Sequence, residues 1–232
     1  MIKAVFFDLY HTLICYDPPH EESLGKILNK LGIDITPEAL RRPIVVADEF
    51  MYQEQSLLPM NKRSEDEKKS LFAKYQMIIL KEAGIEATDK IISSILSKMQ
   101  QIKYSCVLFD DVLPSLKELK ERNLLLGLIS NVDSNITPLL DKLELSLLLK
   151  VVITSQETGY LKPQPEIFKE AAKQAEVKIQ ESIYVGDQYQ IDTLGAEKAG
   201  MQGVLLDRND YYDKVTKELK INNLYQLVEY LS

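Results

Sequence analysis

The segment Ile2–Thr12 reads IKAVFFDLYHT, and its nearly continuous apolar run ends at Asp8. Such a run is typical of a strand that is covered on both faces, as the strands of parallel sheets are. Similar runs follow at residues 124–129, 151–153, 183–185 and 204–206. Helical patterns lie between them. This alternation predicts an α/β fold whose core is a doubly wound, Rossmann-like parallel sheet.

The segment from residue 15 to 105 breaks this alternation, since it shows helix signals and no convincing strand. Thr36 followed by proline is typical of a helix start, and Ser64 with Glu67 has the pattern of a capping box. Thr88 precedes another helical stripe of apolar residues. We therefore predict an all-helical domain over residues 15–105, inserted into an α/β core domain that comprises residues 1–14 and 106–232.

Composition and charge limit which partners and which cellular locations are expected. Apolar residues make up 45% of the 232 residues, enough for a sizeable core, and the net charge is -7. No basic run exceeds two residues, so nucleic acid is not expected as a partner, whereas a small anionic substrate remains possible. No apolar run is long enough to span a membrane, and the N-terminus lacks a signal-peptide layout. Cys15 and Cys106 form no disulfide framework, and a cytoplasmic protein is expected.

Polar side chains follow the apolar runs at the points where the predicted strands end. In chain order they are Asp8, Thr12, Ser130, Asn131, Lys162, Asp187 and Asp192. Ligands of doubly wound sheets bind outside the carboxyl ends of the strands. We therefore expect these side chains to meet at one edge of the sheet and to form the active site.

These residues resemble the four motifs of the haloacid dehalogenase superfamily, and the resemblance spans nearly the whole chain. The motifs are an aspartate followed four residues later by threonine, a serine at the end of the second strand, a lysine before proline, and Gly-Asp followed by another aspartate. The flanking sequences GYLKPQPEIF (residues 159–168) and GAEKAGM (residues 195–201) are also in the style of the family. The resemblance identifies the inserted helices as the cap domain of one subgroup.

The resemblance also implies a role for each residue. Asp8 is the expected nucleophile and forms a covalent aspartyl intermediate, with Lys162 as the second catalytic residue. The expected substrate-binding residues are Thr12, Ser130, Asn131 and Lys162. The expected ligands of Mg²⁺ are Asp8, the backbone carbonyl of Tyr10, Asp187 and Asp192, because hard cations prefer oxygen ligands. From the residues alone, Asp192 is equally well read as a helix N-cap.

Tyr10 departs from the pattern of the family's phosphatases, which carry a second aspartate, the acid–base group, two residues after the nucleophile. Tyrosine at this spacing resembles the 2-haloacid dehalogenases, which need no metal and expel halide, a leaving group that needs no proton. A C–halogen hydrolase of that type is the alternative function. A relative of low activity that binds a metabolite or a protein is the second alternative.

The charge at the expected site favours phosphatase chemistry. Asp8, Asp187 and Asp192 face a single Lys162, and clustered like charges are costly unless a cation neutralises them. The dehalogenases replace the Gly-Asp motif, and this chain retains it as Gly186-Asp187. The sequence therefore predicts a Mg²⁺-dependent phosphatase whose partner is a small phosphorylated metabolite. Tyr10 or His11 would supply the proton in place of the missing aspartate. An activated leaving group or a transfer reaction would instead remove the need for that proton.

Overall fold

The structure, a computed structural model, describes residues 1–213, 215 and 219–231. The chain divides into two compact units. An α/β unit comprises Met1–Cys15 and the chain from Val107 onward, and a helical unit comprises Tyr16–Cys106. The last residue of the predicted core domain, Ser232, lies outside the described residues, as do Lys214 and residues 216–218.

Eight strands occur in the described part of the chain. They are β1 Ala4–Phe7, β2 Ile14–Asp17, β3 Ser105–Leu108, β4 Leu125–Ser130, β5 Val151–Thr154, β6 Ser182–Gly186, β7 Gln202–Leu206 and β8 Leu219–Ile221. Six of them form a sheet with the order β5-β4-β1-β6-β7-β8, in which the strand pairs are parallel. The sheet grows in both directions from β1, which confirms the predicted doubly wound α/β fold.

The helices of the α/β unit connect these strands. Within the described residues they are α5 Val112–Glu121, α6 Thr137–Lys142, α7 Ser155–Thr158, α8 Pro165–Gln174, α9 Leu194–Ala199 and α10 Leu224–Tyr230. A π-helical turn, Tyr189–Thr193, precedes α9, and short 3-10 turns lie at Leu145–Leu147 and Ile179–Glu181. The π-helical turn positions Asp192, and turns of this type occur frequently at functional sites.

The central strands of the sheet are buried, as the apolar runs predict. All four residues of β1 are fully buried, and one side of the sheet packs on α8 through Phe168 and Ala171. The ring of Phe168 meets the ring of Tyr184 edge to face, with the ring centroids 5.1 Å apart. Burial of each large apolar side chain contributes about 1.5–3 kcal/mol. This packing fixes the carboxyl ends of β1, β4 and β6, where the polar residues follow.

The helical unit consists of α1 His20–Lys30, α2 Pro37–Leu57, α3 Glu65–Glu82 and α4 Asp89–Met99, with a 3-10 turn at Met60–Lys62. The predicted helix starts are confirmed. The hydroxyl of Thr36 accepts from the Ala39 backbone N–H at 3.4 Å, and Ser64 with Glu67 forms the capping box. Thr88 caps α4. None of the helices in the described ranges has the length and hydropathy of a membrane span.

The pair β2 and β3 was not predicted. These strands form a small sheet at the two places where the chain passes between the units. The expectation that residues 15–105 contain no strand is therefore wrong at both ends. Each strand has only four residues, and most of their side chains are partly or fully exposed, so neither has the pattern of a strand that is covered on both faces.

Candidate active site

Asp8 stands at the carboxyl end of β1, in the middle of the sheet. Its backbone N–H donates to the carbonyl of Val185 in β6 at 2.9 Å, and its side chain is almost fully buried. The chain then turns back on itself, because the N–H groups of Leu13 and Ile14 both donate to the carbonyl of Leu9. His11 takes up a left-handed conformation in this turn, with φ 60°. We call residues 8–13 the nucleophile loop.

Lys162 reaches the same point from the loop between α7 and α8. Its Nζ donates to Oδ1 of Asp8 at 2.6 Å, to Oδ1 of Asp192 at 2.7 Å and to the hydroxyl of Tyr184 at 2.8 Å. Its side chain is only 4% exposed. An ammonium has three protons to donate, and among the described residues all three have an acceptor. Lys162 is therefore held by two carboxylates and a hydroxyl.

Asn131 fixes the backbone of Lys162. Its Oδ1 accepts from the Lys162 backbone N–H at 2.8 Å, and its Nδ2 donates to the Lys162 carbonyl at 3.0 Å. The side chain predicted to contribute to substrate binding thus positions the lysine. Its predicted role as a substrate ligand stays a prediction.

Asp192 lies within the π-helical turn, and the helix N-cap reading is wrong. Its Oδ1 accepts from Lys162 and lies 3.3 Å from the Tyr184 hydroxyl, while its Oδ2 accepts from the backbone N–H of Gln188 at 3.0 Å. Glycine at position 186 permits this approach, since a Cβ there would lie 2.3 Å from Oδ2 of Asp192. Protein donors therefore already bind both oxygens of Asp192.

Asp187 has a different environment. Its Oδ2 accepts from Nε2 of Gln188 at 3.0 Å, whereas its buried Oδ1 has no hydrogen-bond partner among the described residues. Each of Asp8, Asp187 and Asp192 offers an oxygen, and these oxygens all lie within 4.8 Å of one another. A buried, unsatisfied anionic oxygen within such a group is what a hard cation would bind. The donor set thus fits Mg²⁺.

The remaining predicted residues lie at the same edge of the sheet. Ser130 is buried at the end of β4, and Tyr10 forms a bridge with Ile14 within the turn after β1. Thr12 is fully buried, and its Oγ1 has no hydrogen-bond partner in the described part of the chain. A buried hydroxyl without a protein partner is suited to donate to a bound anion.

The pKa values of the cluster reflect its excess of negative charge. Burial raises the pKa of Asp8 to about 6; Lys162 opposes this shift and Asp192 adds to it. Burial likewise raises the pKa of Asp187 well above its usual range, and Asp192 and Asp8 contribute in the same direction. Burial disfavours the charged form of Lys162, but Asp192 and Asp8 outweigh it, so the pKa of Lys162 rises. Lys162 therefore stays charged, and within the described ranges its ammonium is the one positive charge that faces the three carboxylates.

Tyr184 was missed by the sequence analysis. Its hydroxyl accepts from Lys162 and lies 3.0 Å from the carbonyl of Ile129, so it ties the lysine to β4. Burial raises the pKa of Tyr184 well above its usual value of 10, which keeps the phenol protonated. The available signal was that a buried tyrosine usually has a partner for its hydroxyl. Tyr184 lies two residues before the Gly-Asp motif.

Comparisons with known proteins agree with the fold. Residues 5–206 match the family model of haloacid dehalogenase-like hydrolases. A relative from Methanopyrus kandleri, named glyceraldehyde 3-phosphate phosphatase, is 30% identical over 215 residues, which are 92% of this chain and 87% of the relative.

Two solved structures are similar in fold. One is a phosphatase of the family from Thermococcus onnurineus, with a TM-score of 0.59, 22% identity, and coverage of 100% of this chain and 98% of the other. The other is a 2-haloacid dehalogenase from Pseudomonas syringae pv. Tomato DC3000, with a TM-score of 0.55, 24% identity and the same coverage. Since the family model covers most of the chain, the protein belongs to the haloacid dehalogenase-like hydrolases.

Proposed function

We propose that this hydrolase is a Mg²⁺-dependent phosphatase that attacks a small phosphomonoester with the carboxylate of Asp8. The observation that carries the proposal is the group of three carboxylates, two of them buried and bound to Lys162, in which Oδ1 of the third, Asp187, has no partner among the described residues. The glyceraldehyde 3-phosphate phosphatase named above supports a small phosphorylated metabolite as substrate. We also propose that the helical unit is a cap that determines substrate specificity.

Each residue of the cluster has its own role in the proposed double displacement. Lys162 binds Oδ1 of Asp8, and we expect Oδ2 to attack phosphorus. The new O–P bond gives an aspartyl phosphate while the bond to the leaving oxygen breaks; water then attacks phosphorus and regenerates the carboxylate. The hydroxyls of Thr12 and Ser130 donate to phosphoryl oxygens, and the charge of Lys162 stabilises the transition state.

We propose that Asp8, the carbonyl of Tyr10 and Asp187 hold the cation. Asp192 has both oxygens bound by protein donors, so we propose that it acts by holding Lys162 and takes part in metal binding at most through water. When bound, Mg²⁺ supplies the positive charge that offsets the carboxylates and the substrate phosphate.

Binding of Mg²⁺ should depend on pH in a defined direction. Asp8, whose pKa is raised to about 6, mostly holds a proton at about pH 5 and has mostly lost it at about pH 8. The raised pKa of Asp187 acts in the same direction, so a cation has to displace protons at the lower pH. Mg²⁺ is used at one fixed concentration, roughly 100 times its Kd at the higher pH. It should raise the Tm of chelator-treated protein by about 5–10 °C at the higher pH, and by less at the lower pH, where its Kd is larger.

Differential scanning fluorimetry at the two pH values measures this effect. Asp187→Asn is the matched control, because it removes one charge and keeps the shape of the side chain. We expect the variant to show little shift at either pH. An equal shift in the variant and the wild type would place the cation elsewhere.

A panel of two substrates tests the proposed function. An aryl phosphate and a 2-haloacid are each incubated with Mg²⁺ and with a chelator. We expect phosphate release that requires Mg²⁺ and no halide release. Halide release that resists the chelator would support the dehalogenase alternative, for which Tyr10 is the specific observation, and would overturn the proposal. If neither phosphate nor halide were released, the second alternative would be supported, a relative of low activity that binds a metabolite or a protein.

Tyr10 should limit the rate of phosphate release. A positioned general acid–base group typically contributes a factor of about 10²–10⁴, and a phenol is a much weaker acid than a carboxyl group, so tyrosine performs this role poorly at neutral pH. We expect Tyr10→Asp to raise kcat for an unactivated phosphomonoester by about tenfold or more. Tyr10→Asn is the control, since asparagine has the size of aspartate but no acidic group. Equal rates in the two variants would contradict this role of the position.

A further inference from the structure

A largely buried arginine outside the matched family segment holds the nucleophile loop. Arg208 follows β7 by two residues and so lies beyond residues 5–206. Its Nη2 donates to the backbone carbonyl of Thr12 at 2.8 Å. The same guanidinium forms two hydrogen bonds with Asp111, from Nη1 to Oδ2 at 2.9 Å and from Nη2 to Oδ1 at 3.0 Å. One side chain thus joins the loop to the start of α5.

The arginine is itself fixed on several sides. The side chains of Arg208 and Asp111 are 14% and 6% exposed, and Oδ2 of Asp111 also accepts from the N–H of Leu224 at 2.7 Å. The guanidinium carbon lies 3.9 Å from the centre of the Phe109 ring. Because the pair is buried, bidentate and stacked, it is stiffer than an exposed ion pair.

Two consecutive carbonyls of the nucleophile loop are bound by Arg208 and by the backbone of Phe109. Arg208 binds the carbonyl of Thr12, and the backbone N–H of Phe109 donates to the carbonyl of Leu13 at 3.2 Å. The hydroxyl of Thr12, in contrast, has no partner in the described ranges. The backbone of Thr12 is therefore anchored while its side chain is left for a ligand.

We propose that Arg208 is a positioning residue of the phosphatase reaction, which acts by holding the hydroxyl of Thr12 where it meets the phosphoryl group. This inference rests on the proposed function. A misplacement of about 1 Å in an active site can cost a factor of about 10² in rate. Lysine cannot replace the arginine, because a single ammonium lacks the planar fork that binds Asp111 and the carbonyl together.

The kinetic test is a double-mutant cycle of Arg208→Met with Thr12→Ala, which removes the hydroxyl and keeps the carbonyl. In the wild-type background, Arg208→Met should lower kcat/KM for an aryl phosphate by roughly ten- to a hundredfold. In the Thr12→Ala background it should lower kcat/KM by less than about threefold, since the group that it positions is already gone. Equal losses in both backgrounds would overturn the proposal.

Arg122→Met is the matched control. Arg122 also pairs with a carboxylate, that of Glu118 at 2.6 Å, and also donates to a backbone carbonyl, that of Val228 at 2.7 Å, within the same unit. Neither of these two contacts involves the nucleophile loop. We expect this variant to keep kcat/KM within about twofold of the wild type, so that a general loss of packing is separated from a loss of positioning. Should Arg208→Met fail to fold, Arg208→Lys takes its place.

Hydrogen exchange separates this inference from the proposed function. In Arg208→Met, the amides of residues 8–14 should exchange about tenfold faster than in the wild type, and in Arg122→Met they should not. Without any phosphatase activity in the wild type, the proposed function fails, and exchange still decides whether Arg208 anchors the loop. Unchanged exchange at these amides would overturn the anchoring role.

Discussion

Asp8→Asn should lower kcat for a phosphomonoester by about a thousandfold or more, with the fold intact. The amide has the shape of the carboxylate, but it cannot form the aspartyl phosphate, and loss of a nucleophile is among the largest effects measured in hydrolases. The variant also removes one charge from a cluster with three carboxylates and one lysine. We therefore expect the Tm in the presence of chelator to stay unchanged or to rise.

Initial rates of phosphate release and thermal unfolding measure the two effects. Asp210→Asn is the matched control, because Asp210 is exposed and pairs with Asn222 and Lys220 away from the cluster. We expect this control to keep the wild-type rate. If Asp8→Asn retained more than a few per cent of the activity, another group would have to be the nucleophile.

Lys162→Met should lower both kcat for phosphate release and the free energy of unfolding. The variant leaves Asp8 and Asp192 buried without the ammonium that binds both of them. Loss of one partner of a buried ion pair costs about 3–5 kcal/mol, because the other charge stays uncompensated. Loss of a preorganised charge at the transition state costs about 10²–10³ in kcat.

Chemical denaturation and phosphate release measure these losses. Lys173→Met is the control, since Lys173 forms an exposed pair with Glu170 and such pairs contribute little. We also expect Mg²⁺ to restore part of the stability of Lys162→Met and little of its activity. A variant with wild-type stability would contradict the strong coupling of Lys162 to the two carboxylates.

The sequence predicts the sheet well because the apolar runs of its central strands are distinct. β1, β4 and β6 are covered on both faces, and nearly all of their side chains are buried. Strands β2 and β8 were missed for the opposite reason, since they are short and carry partly exposed side chains. A pattern of burial cannot be recognised where burial is incomplete.

The charged residues of the candidate site follow from the same logic. Parallel strands place their carboxyl ends at one edge, so Asp8, Lys162 and Asp187 were expected to meet there, and they do. Residues that act through long-range pairing were not predictable. Arg208 meets Asp111 from a position 97 residues further along the chain, and no spacing or motif indicates such a partner.

Tyr184 illustrates a second limit of sequence reasoning. It lies in an apolar run and is fully buried, so its pattern is that of an ordinary core residue. Only the structure reveals that its hydroxyl binds Nζ of Lys162. The contacts of Asn131 with the backbone of Lys162 were not predicted for the same reason, because the partners of a polar side chain at a strand end cannot be read from its position in the sequence.

Trapping of the covalent intermediate tests the central claim most directly. The protein is mixed with an aryl phosphate and Mg²⁺, quenched in acid, and the peptide that contains Asp8 is analysed by mass spectrometry. With Tyr10 in place of the acid–base aspartate, attack by water should be slow, so a phosphorylated Asp8 should accumulate in the presence of Mg²⁺ and be absent with chelator. Turnover of the substrate with Asp8 unmodified throughout, or modification that needs no cation, would contradict the account.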